Sequence, residues 1–157
     1  MNTTEIEDEI ALILYCNRNR KLSYEQLISW VGTRYNENLT FQTIMNESTC
    51  ISDVFDLLRV KYSFFNLTEE LLLSKIACEY SNGELTIIEA VSAAYNLLNS
   101  DGDGNHELSL TLYRLVDDYE SESMNQYIVR AKNSDFGVLL AKYDTGGYEK
   151  IYSRVFK

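Results

Sequence analysis

At 157 residues the chain is long enough for one domain, able to bury roughly 70% of its unfolded surface without disulfides or metals. Hydrophobic residues make up 45% and charged residues 24%, a globular composition that excludes wholesale disorder. Lysine and arginine total 14 against 24 aspartates and glutamates, and the resulting formal charge of -10 excludes a surface built to grip phosphate backbones.

The amino terminus, MNTTEIEDE, is acidic where a secretory signal needs positive charge, and the apolar stretch 10–16 is too short to span a bilayer. Cys16, Cys50 and Cys78 are widely spaced and form no CxxC, so they are expected as buried, reduced thiols in a cytoplasmic protein. Proline is absent, which removes the strongest helix breaker.

In chain order, Ile6, Ile10, Ile13 and Leu14 fall on one helical face, with Thr3 and Thr4 as caps and Glu5, Glu7, Asp8 and Glu9 in the first turns. Ser23 and Gln26 form a capping box before Tyr24, Leu27, Ile28 and Val31. Thr40 is the expected cap of a short helix bearing Phe41, Ile44 and Met45. Ser52 and Asp53 open a helix with Val54, Phe55, Leu58 and Tyr62, and Thr68 opens another with Leu72, Leu73, Ile76 and Tyr80, stopped at Asn82 and Gly83. Thr86 and Glu89 are a second capping box, ahead of Ile87, Val91, Ala94, Tyr95 and Leu98. Leu108, Leu112, Leu115, Val116 and Tyr119 continue the pattern into an acidic end, where Asp117, Asp118, Glu120 and Glu122 oppose the helix dipole. Residues 136–156 suit two closing helices, with a small β-hairpin over 138–147 as the alternative. The expected fold is all-α: a single compact multi-helix domain over 1–157.

Enzyme templates lack parts. The chain has one histidine, His106, and no GxSxG, HExxH or glycine-rich phosphate loop. Asp101, Asp103, Asn105 and Glu107 resemble the opening of an EF-hand calcium loop, but His106 stands where the sixth-position glycine is needed and Leu112 where the twelfth-position glutamate closes the shell. They are read as an inter-helix loop and only a weak metal candidate, and no cofactor is expected. Tyrosine, with twelve residues, offers contact area at low entropy cost, and clustered carboxylates steer basic partners. The candidate partner-binding residues are therefore Tyr113, Asp117, Asp118, Tyr119, Glu120 and Glu122, together with Glu5, Glu7, Asp8 and Glu9 of the first helix.

With that acidic run and acidic first helix, and no catalytic apparatus, the chain resembles bacterial toxin-immunity proteins, including those of contact-dependent growth inhibition. The resemblance implies a cytoplasmic, non-enzymatic protein whose partner is a basic toxin domain, a nuclease, with no direct contact to nucleic acid or membrane. A phage inhibitor of a nucleic-acid-binding defence protein shares this chemistry. A helical adaptor binding through an apolar groove is the alternative of a different class.

Overall fold

Apolar residues recur every three or four positions through most of the chain, and the described residues fold into helices alone. The computed structural model describes residues 3–18, 22–34, 36, 39–62, 67–99, 107–117 and 122–156. Its elements are α1 (Thr3–Arg18), α2 (Tyr24–Thr33), α3 (Leu39–Glu47), α4 (Ile51–Tyr62), α5 (Glu69–Ser81), α6 (Ile87–Asn99), α7 (Glu107–Asp117), α8 (Met124–Asn133), α9 (Phe136–Ala141) and α10 (Gly147–Phe156). No helix among the described residues is long and apolar enough to cross a membrane.

Local chemistry sets most of the boundaries. Ser23 caps α2, its hydroxyl accepting from the Gln26 amide at 3.2 Å while Gln26 Oε1 accepts from the Ser23 amide at 3.1 Å. The Thr68 hydroxyl accepts from the Leu71 amide at the start of α5, and Thr86 accepts from the Glu89 amide at the start of α6. Gly83, at φ +76° just past α5, takes the left-handed conformation that glycine adopts at least cost. Thr40 is not a cap: α3 begins at Leu39 and contains it.

Where the sequence reading takes 1–157 as one domain, the contacts divide the chain into two compact units. Unit 1 is Met1–Leu67 with Lys150–Lys157, and unit 2 is Thr68–Glu149. In unit 1 the end of the chain rejoins its beginning, since Arg154 of α10 meets Glu5 and Glu9 of α1. The core of this unit includes Ile10, Leu12, Ile13, Leu27, Phe41, Ile44, Val54 and Leu58, all 0% exposed, with Trp30 edge-on to Phe41 at 5.2 Å. α1 is more deeply placed than a one-faced stripe implies. Every residue from Glu9 to Leu14 is buried, as befits the unbroken apolar run 10–14, which covers the helix on all sides there.

In unit 2, Leu73, Ala90, Val91, Ala94, Leu108, Leu112, Leu115, Ala131, Phe136 and Leu140 share one core drawn from α5 to α9. The hairpin alternative is overturned by burial as well as by backbone. A strand would put residues 136, 138 and 140 on one face, yet Phe136 and Leu140 are buried while Val138 is 69% exposed, as helical spacing demands. Gly146, at φ +72°, sits between α9 and α10 in place of the hairpin turn.

Candidate functional site

Charge is divided unequally between the two units. Unit 1 holds nine acids and nine bases; unit 2 holds 15 acids and five bases, a difference that accounts for the whole formal charge of -10. Three of the five bases of unit 2 already face acids of the same unit: Lys75 with Glu79, Arg130 with Glu122, and Lys142 with Glu107. Pairing removes charges one for one, so the surplus of negative charge stays on the rest of the unit.

The acidic first helix is largely committed within its own unit. Glu9 is 0% exposed and is gripped by Arg34 at the carboxyl end of α2, which donates from Nε at 3.1 Å and from Nη2 at 2.7 Å. Arg154 approaches the same carboxylate at 3.6 Å and Glu5 at 3.4 Å. Glu9 is thus a buried structural charge, a correction to its reading as a partner-binding residue: a carboxylate taken out of water survives only where cations and donors replace the water. Asp8 is half-buried, and burial pushes its carboxyl above the ordinary range, partly opposed by Arg154. Glu7 faces solvent. Of the four acids, it is the one that remains both exposed and outside this cluster.

On unit 2 the expected conflict between acids and the helix dipole at the end of α7 has a tertiary answer. Arg130 of α8 donates from Nη1 to the Arg114 carbonyl at 3.1 Å and from Nη2 to the Leu115 carbonyl at 2.7 Å, while its Nε donates to Glu122 at 2.7 Å. A cation from the next helix caps the negative end of α7, and Glu122 holds that cation in place. Glu122 is therefore spent inside the fold as well. Thr111, Arg114, Leu115, Arg130, Asn133, Ser134 and Asp135 line a groove of about 440 Å³ beside this cap.

Tyr113 and Asp117 are exposed on α7, and the Tyr113 ring stands edge-on to Tyr95 of α6 at 5.9 Å. Leu110, one turn before Tyr113, is 49% exposed. Asp118, Tyr119 and Glu120 lie outside the described residues, as do Asp101, Asp103, Asn105 and His106 of the calcium-loop candidate. Glu107, the remaining member of that candidate, is an exposed first-turn residue of α7. Among the described residues no group of three or more His, Cys, Asp or Glu side chains could hold a metal ion.

The cysteines are not uniformly buried as expected. Cys16 is buried, but Cys50 is exposed in the turn before α4, outside any apolar stripe, and Cys78 is half-buried. Cys78 is the opposite of an activated nucleophile: a hydrogen bond with Glu149, burial and surrounding carboxylates push its thiol up to about 11.

The sequence reading misses Arg34, Arg130, Arg154 and Leu110. For Arg130 a signal exists, because Ser123 and Gln126 repeat the capping box of Ser23 and Gln26 and announce α8. For Arg34 and Arg154 no local pattern identifies the partner. Compared with protein-family models, curated proteins and solved structures, the chain matches none of them.

Proposed function

We propose that the chain is a binding protein that captures a cationic protein partner on unit 2, and that the partner is a basic toxin domain acting on nucleic acid, which makes the chain an immunity protein. One observation carries this reading: the entire charge of -10 is concentrated on Thr68–Glu149, with 15 acids against five bases, while unit 1 is formally neutral. A one-signed surface raises the local concentration of an oppositely charged partner and orients it before contact. It also offers carboxylates to side chains that otherwise bind phosphates. The reading carries with it a cytoplasmic location, where such a partner would be neutralised.

The test begins with affinity capture from the native host at low salt, followed by purification of the captured protein. Association should approach about 10⁸ M⁻¹s⁻¹ at low ionic strength and fall at least about tenfold by high salt. Stoichiometric addition of the chain should stop nucleic-acid cleavage by the partner. Neutralising the exposed Glu84, Glu89 and Asp117 of unit 2 should slow association, whereas neutralising the exposed Glu7, Glu25 and Glu47 of unit 1 should not. Salt-insensitive association, or equal effects from the two sets, overturns the reading.

A further inference from the structure

Large apolar side chains left exposed by this fold mostly stand alone. Val60 sits on α4 and Val138 on α9, while Met124 and Val129 of α8 are five positions apart and point in different directions. Scattered residues of this kind need no explanation. Leu110 and Tyr113 differ, because at i and i+3 they are neighbours on one helix surface. At 100° per residue, Leu110, Tyr113 and Asp117 fall within an arc of about 60°. Leu108, Leu112 and Leu115 enter the core, and Thr111, Arg114 and Leu115 line the groove beside Arg130.

Resting on the cationic-partner reading above, we propose that this face of α7 is the docking surface for a basic segment of the partner. An apolar side chain of that segment covers Leu110 and Tyr113, and an arginine or lysine reaches Asp117. Charge complementarity selects the occupant. Asp117 ends α7 as an exposed carboxylate on the unit that carries the whole surplus of negative charge, so a cation is drawn to this face. Glu107 stands about 15 Å away at the other end of the helix and supplies a second carboxylate, joined among the described residues by the long 3.9 Å pair to Lys142. The Tyr113 ring, held edge-on by Tyr95, is an anchor that loses little freedom on binding. An apolar centre with charged ends matches the anatomy of a protein interface.

The experiment uses the full isotope-labelled chain and two probes, a capped peptide of about eight residues alternating arginine with leucine and an all-arginine peptide of equal length. Such a peptide spans about 26 Å when extended, enough to cover α7 from Glu107 to Asp117. With the alternating peptide, amide shifts should centre on residues 107–117. Leu110→Ser and Asp117→Asn should each weaken binding by about threefold or more, and Val138→Ser, a similar loss of exposed apolar surface elsewhere on the unit, should not. Binding by the all-arginine peptide should be indifferent to Leu110→Ser. Shifts confined to other acids of unit 2, untouched by Leu110→Ser, overturn the docking face while leaving the cationic reading standing. If neither peptide moves the amides of unit 2, both fall.

Discussion

Replacing Glu9 by alanine should destabilise unit 1 far more than removal of a surface carboxylate. Glu9 is 0% exposed, and the guanidinium that grips it, Arg34, is only 12% exposed. The substitution leaves Arg34 as a nearly buried cation without its bidentate acceptor, a change that costs about 3–5 kcal/mol in buried pairs. Arg154, 26% exposed, can turn to water, so the lower end applies and the expected loss is about 3 kcal/mol. With a urea dependence of about 1.5 kcal/mol per M, the midpoint falls by about 2 M. Trp30 is the only tryptophan, buried against Phe41 in the same unit, so its fluorescence follows this unfolding specifically. Glu7→Ala, at an exposed position of the same helix, should stay within about 0.5 kcal/mol. Glu9→Leu combined with Arg34→Met should recover at least about 1 kcal/mol relative to the sum of the single changes, because the stranded partner is then gone. A loss below about 1 kcal/mol for Glu9→Ala, or additivity in the pair, would refute the buried-charge account.

Arg130→Met removes a charged donor from the Arg114 and Leu115 carbonyls and should cost about 2 kcal/mol; hydrogen exchange should accelerate in the last turn of α7, and unchanged protection there contradicts the capping role. Cys78, with its thiol at about 11, holds less than about 1% thiolate at pH 8.5, so iodoacetamide should label the exposed Cys50 first. Glu149→Gln should speed alkylation of Cys78, and an unaltered rate counts against the hydrogen bond as cause. Asp8 has its carboxyl raised by burial, so between the ordinary aspartate value and the raised one the folded chain binds more protons than the unfolded chain. Its contribution to stability therefore declines as pH climbs through that window. Asp8→Asn should flatten this slope and gain relative stability above it, as read from urea midpoints across the acid range; an identical slope in the variant excludes Asp8 as the source.

Sequence by itself determined the helices and many of their ends, because those depend on contacts within a few residues. The Ser23–Gln26 box, the Thr68 and Thr86 caps and the Gly83 stop are local hydrogen bonds and backbone preferences, and the overlooked Ser123–Gln126 box was equally available. It also determined the number of ionisable groups and with it the formal charge of -10. The tertiary structure decided where that charge could act. Glu9 and Glu122 are acidic in any reading of the chain, but Arg34 and Arg130, brought to them from other helices, turn both into internal supports. The allotment of all net charge to Thr68–Glu149 depends on which segments cluster, with the last eight residues returning to the first unit. Pairing between residues distant in sequence carries no local signature, since neither partner's neighbours register the other, and only the folded chain brings the two within reach.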